Sequence, residues 1–195
     1  MPPKELDAAE KYFADMIPSL FRIACDGSPW VFLCGTALIE YLSKLAYGQD
    51  GGRYFIQFVK DFMSPRYRNF CFDSGSKDLP EQMYYVLRCG VVHSFSLFPN
   101  EQGANKGGRE RSIGLSHDTA EGHIKMVKKT PNAPDTCCLN AFEFVADIAA
   151  SMRELFERAK FDPTLAQNIT IWVSAHPPIA ADSPRKPSER RDGPQ

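Results

Sequence analysis

The sequence predicts a mainly α-helical bundle with a β-hairpin insertion and a disordered C-terminal tail. Apolar residues recur at helical spacing through most of the first ninety residues and again over 139–159. A Gly-, Asn- and Gln-rich stretch at 101–108 leads into two short alternating runs, the pattern of a hairpin. Residues 177–195 are rich in Pro, Ser and charge and have no apolar face to bury. The reading is of one domain over 1–176, an insertion at about 101–130, and the tail.

Composition narrows the function classes. A hydrophobic share of 43% and a charged share of 24% are those of an ordinary globular protein, and a formal net charge of -1 supplies no overall pull toward nucleic acid or membrane. Any basic surface must be local. The start MPPKELDAAEKYF lacks the basic and apolar segments of a signal peptide, and Trp30–Leu42, the longest apolar run, is too short to span a bilayer. The expectation is a cytoplasmic protein that does not engage the membrane.

Leu6, Ala9, Phe13, Ile17, Leu20 and Ala24 mark the first helix, Lys4 to Asp26, closed by Gly27. Pro18 interrupts it, so either the helix kinks near Asp15 or two shorter helices meet there. Trp30 to Tyr47 is the second helix, started by Ser28-Pro29 and ended by Gly48, and its near-continuous apolarity suits the centre of the bundle. Gly51-Gly52 introduces a third, Arg53 to Met63, which Ser64-Pro65 stops; Tyr67 to Lys77 reads as a connection. Asp78 as N-cap, Pro80 in the first turn and Glu81 near the positive end of the dipole open the helix Leu79–Phe98.

Arg111–Leu115 and His123–Lys129 are the two strands of the expected hairpin, around Ser116-His117-Asp118. Asp135 reads as the N-cap of the strongest helix, whose stripe includes Leu139, Phe142, Val145, Ala149, Met152 and Phe156 and which Pro163 ends. Ile169–Val173 is a short strand or a packed turn. Cys25, Cys34, Cys89, Cys137 and Cys138 lie among apolar residues, where a reduced thiol packs as a small hydrophobe, and no C-x-x-C pair supports a zinc site.

The anomaly is Arg88-Cys-Gly-Val-Val-His93, polar chemistry on an otherwise apolar helix. At about 100° per residue an α-helix separates positions five apart by roughly 140°, so Arg88 must bend its long stem round to meet His93, a move that loosening at Gly90 would ease. Read from the residues alone, Arg88 reaching the surface and His93 hydrogen-bonded in the core is the favoured account, by roughly three to one.

LRCGVVH on a helix behind an acidic cap resembles the HEPN superfamily (higher eukaryotes and prokaryotes nucleotide-binding domains), whose R-x4-6-H motif Arg88 and His93 match with four intervening residues. The resemblance covers about Leu6 to Lys160, with the hairpin as decoration. It implies a homodimer whose paired motifs form one metal-independent ribonuclease site, of the kind found in toxin and defence systems, with RNA as substrate and an antitoxin protein as partner. No cofactor and no metal are implied. Arg88 and His93 become the catalytic pair, with Cys89, Ser94 and Glu40 as auxiliary residues. Where the family has Asn, Asp or His after the arginine, this chain has Cys89, a weak hydrogen-bond donor.

Around the hairpin, Lys106, Arg109, Arg111, Lys125, Lys128 and Lys129 face four acids, a local net charge of +2. Of these, Arg109, Arg111, Lys125, Lys128 and Lys129 are the candidate RNA-backbone contacts, and a solvated strand edge protected by charge is the competing account. Glu40, the lone acid of the second helix, either reaches Arg88 or His93 or pairs with Lys44 at i, i+4. His117 and His123 read as surface residues.

Overall fold

In the first helix, α1 (Lys4–Cys25), the buried residues are those of the expected stripe, Leu6 through Ala24. It runs undivided through Pro18. The carbonyl that Pro18 leaves without a donor belongs to Ala14, and both residues are exposed, so water can replace the lost bond. The computed structural model describes residues 4–72, 78–91, 111–118, 120, 122–127 and 135–175. The expected tail, 177–195, and the loop 101–108 lie outside the described residues.

α2 (Trp30–Tyr47) has its expected bounds, because Gly48 at φ 63° takes the left-handed conformation that ends a helix and donates its N–H to Lys44 O at 2.8 Å. It is the centre of the bundle, packed against every long helix described. At Gly35 a Cβ would stand 2.7 Å from a Phe144 ring carbon and 2.9 Å from Ile148 Cδ1, so the glycine sets how closely a later helix approaches. α3 (Gly52–Phe62) buries Phe55, Phe58 and Val59.

Ser64-Pro65 ends α3 as expected but also starts α4 (Pro65–Asn69), where the Ser64 hydroxyl accepts from Arg66 N–H and Tyr67 is fully buried. The connection expected over 67–77 is therefore partly helical; 73–77 lie outside the described residues. Asp78 caps α5 (Leu79–Gln82) as read, its carboxylate accepting from Glu81 N–H at 3.0 Å. Beyond that turn the winding changes: Met83–Val91 is π-helical, not α-helical.

The expected hairpin is replaced by a three-stranded sheet. β1 (Arg111–Ser116) and β2 (Lys125–Val127) do not pair with each other; β3 (Asp135–Asn140) lies between them. β1 runs parallel to β3, from Arg111 opposite Asp135 to Ser116 opposite Asn140, and β2 runs antiparallel, with Lys125 opposite Cys138. A parallel pair cannot close through a tight turn, so β1 and β3 need the long 117–134 connection that contains β2. Cys137-Cys138-Leu139, buried in β3, is too short for periodicity to separate from the following helix.

That helix, α6 (Ala141–Ala159), starts at Asn140 rather than Asp135: the Asn140 side-chain oxygen accepts from Phe142 and Glu143 N–H at 3.0 and 3.2 Å. Pro163 does not merely end it but opens α7 (Pro163–Ala175), with Asp162 accepting from Thr164 N–H at 2.9 Å. Ile169–Val173 is thus helix, neither strand nor turn, and Ile169 is buried. The fold is a helical bundle with a small mixed sheet. None of the six cysteines is in a disulfide, and Cys25, Cys34 and Cys71 are exposed rather than packed in the core. Among the described residues no helix is long and apolar enough to cross a membrane.

Candidate functional site

Arg88 sits on the π-helical segment opposite Glu40 of α2, and the two side chains form a two-pronged pair. Nε donates to one carboxylate oxygen at 3.1 Å and Nη2 to the other at 3.0 Å. Lys44, one turn along α2, is 3.8 Å from the same carboxylate and 3.1 Å from Asp50 in the loop after α2. Of the two open alternatives for Glu40, both contacts form, and Arg88 is the closer partner. The side chains of Arg88 and Glu40 are only 25% and 22% exposed, so the charges attract through a medium less screening than water. Hydrogen bonding to Glu40 holds the Arg88 pKa above its ordinary value, against the effect of burial. Lys44 in turn pulls the Asp50 carboxyl below its ordinary value.

Tyr84 precedes Arg88 by one turn. The guanidinium carbon lies 5.9 Å from its ring centroid, and the ring packs against Phe55 at 5.6 Å. Burial first, and then Cys89, five residues on, raise the Tyr84 pKa, while Arg88 lowers it. His93 and Ser94 lie outside the described residues.

The described cluster therefore unites Arg88, Glu40 and Cys89 of the expected site and adds Lys44, Asp50, Tyr84 and Gly52. Lys44 was visible at i, i+4 from Glu40, and Tyr84 at i, i+4 before Arg88. Asp50 and Gly52 carried no signal, because their role depends on where the α2–α3 loop folds. Chemically, the arrangement offers a permanently charged, oriented guanidinium beside a lysine, balanced by two carboxylates. Among the described residues no three His, Cys, Asp or Glu side chains are grouped so as to hold a metal ion.

Of the expected RNA contacts, Lys125 is exposed on β2. Arg111 belongs to β1, but its side chain, like Arg109, Lys128 and Lys129 altogether, lies outside the described residues.

His123 is not a surface residue. Its side chain is fully buried, and its Nδ1 accepts the Asn140 N–H at 3.0 Å. With Nδ1 an acceptor, the proton of the neutral ring is on Nε2, which lies 3.0 Å from the Tyr67 hydroxyl and 3.2 Å from Asp147 Oδ2. Arg66 closes the outer side, 3.6 Å from Asp147 and 3.3 Å from Glu143. Burial, then Asp147, push the Tyr67 pKa well above its ordinary value. This knot ties α4, the sheet and the start of α6 together. His117 is half-buried, edge-on to Phe32 at 6.1 Å, and its Nε2 has no hydrogen-bond partner among the described residues.

Compared with family models, with curated proteins and with solved structures, the chain matches none.

Proposed function

We propose that the chain is a HEPN-like RNA-binding protein of toxin or defence type, a cytoplasmic homodimer that cleaves RNA without a metal and is restrained by an antitoxin protein. The observation that supports this reading is the placement of Arg88: a guanidinium held by both its Nε and Nη2 to Glu40. In this reading the RNA 2′-hydroxyl attacks the adjacent phosphorus and the bond to the 5′-oxygen breaks. His93 takes the proton from the 2′-oxygen, and the His93 of a second copy returns one to the 5′-oxygen. Arg88 stabilises charge developing on the phosphoryl oxygens. Lys125, with Arg109, Arg111, Lys128 and Lys129, contacts the RNA backbone.

A second reading is a non-catalytic interaction or dimerisation module. It is favoured by the same pair seen differently: Glu40 already neutralises Arg88. Cleavage of RNA in EDTA by the wild type and by His93→Ala separates the two. The proposal expects cleavage by the wild type and its loss in the variant; equal rates, or no cleavage by either, favour the module.

A further inference from the structure

Gly52 is the first residue of α3, and its backbone is one that alanine adopts readily, since it lacks the positive φ found at Gly51. Substitution by alanine at a helix start should therefore help α3 rather than harm it. Space is what forbids it. A Cβ at Gly52 would meet the Tyr84 hydroxyl oxygen at 2.8 Å and the ring carbons closer still. The Tyr84 ring thus lies directly on the α3 backbone, with Phe55 beside it and the Arg88 guanidinium carbon 5.9 Å from the ring centroid.

We propose that Gly52 and Tyr84 form a seat that positions Arg88: the bare glycine admits the tyrosine ring, and the seated ring sets where the guanidinium lies when it grips Glu40. Tyr84 and Gly52 are positioning residues, acting through Arg88 without touching substrate. As a catalytic device the seat rests on the ribonuclease reading above; as a geometric device it does not.

The test therefore reads both. Hydrogen exchange of the Arg88 Nε–H, followed by nitrogen-resolved NMR and assigned by its absence in Arg88→Lys, reports the grip on Glu40. Steady-state cleavage of RNA in EDTA reports the chemistry. Gly52→Ala, which displaces the ring, and Tyr84→Leu, which removes it, are expected to speed Nε–H exchange about tenfold or more. They should lower kcat by about tenfold or more with KM changed less than about twofold, as for an interaction made in the transition state. Tyr84→Phe, which keeps the ring, should leave the exchange near wild type. If either Gly52→Ala or Tyr84→Leu unfolds, as judged by circular dichroism, the other decides. Wild-type exchange in the folded variants overturns the seat, whatever the activity. Wild-type RNA cleavage that His93→Ala leaves unchanged, or that is absent altogether, defeats the ribonuclease reading, while the exchange data still decide the seat.

Discussion

Replacing Glu40 with Gln keeps the shape of the side chain and removes the charge that Arg88 grips. Two charge-assisted hydrogen bonds, at 3.1 and 3.0 Å, are weakened, and a guanidinium only 25% exposed loses the Glu40 charge. Exposed pairs contribute about 0.2–1 kcal/mol and breaking a fully buried pair costs about 3–5 kcal/mol, so a pair three-quarters buried should cost about 2 kcal/mol. For a domain of this size that lowers Tm by about 4–8 °C. Lys44 keeps Asp50 at 3.1 Å, which confines the loss to Arg88. Thermal and urea unfolding of Glu40→Gln, Arg88→Gln and the double variant complete a cycle, and the expected coupling is about 1–2 kcal/mol. Single-variant losses that simply add, within about 0.3 kcal/mol, would refute the pairing and with it the view that Glu40 places Arg88.

Gly35→Ala should destabilise by about 1–3 kcal/mol in urea titration, because the new methyl would meet Phe144 at 2.7 Å and Ile148 at 2.9 Å; a neutral result would show that α2 and α6 are not in such close contact. Asn140→Ala removes two capping bonds to α6 and a donor to Asp118 O at 3.1 Å, and should cost about 1–2 kcal/mol, whereas Asp135→Ala leaves that cap intact. At high pH the tyrosines matter. Burial, and then the bond to Asp61, raise the folded-state pKa of Tyr47 above its ordinary 10.0, so its stabilising contribution is complete below that value and falls as pH rises beyond it. Tyr47→Phe should therefore flatten the loss of stability on the alkaline side, measured as Tm against pH, and an unchanged alkaline slope would contradict the assignment.

Much of the bundle was legible because its helices carry their own punctuation. Pro29 and Gly48 bound α2, and Asp78 with Pro80 opens α5, through local steric and hydrogen-bonding rules that need no tertiary context. The errors fall where a tertiary partner overrides local pattern. β3 was hidden because three consecutive buried residues beside a strong amphipathic helix look like its first turn, and only the flanking β1 and β2 make them a strand. Pro163 reads equally as a stop and as a first helical residue; Asp162, which caps the turn after it, decides. In the candidate site, Arg88 and Glu40 were each conspicuous as a lone charge on an apolar helix, yet 48 residues of separation gave no measure of their distance. The π winding was illegible because an α period was assumed throughout the helix. His123 failed for the same reason as β3: Tyr67, Asn140 and Asp147 come from three other segments, and nothing local announces that they meet around one imidazole.

The mechanism proposed for Arg88 and His93 requires the RNA 2′-hydroxyl as nucleophile, so the most direct measurement is of cleavage products in EDTA. One substrate is an RNA strand; the other is the same strand with a single 2′-deoxy sugar at the cut position. The account predicts a 2′,3′-cyclic phosphate and a 5′-hydroxyl from the first and an uncut bond in the second. Cleavage of the 2′-deoxy bond, or activity that disappears in EDTA and returns only with a divalent ion, would contradict it.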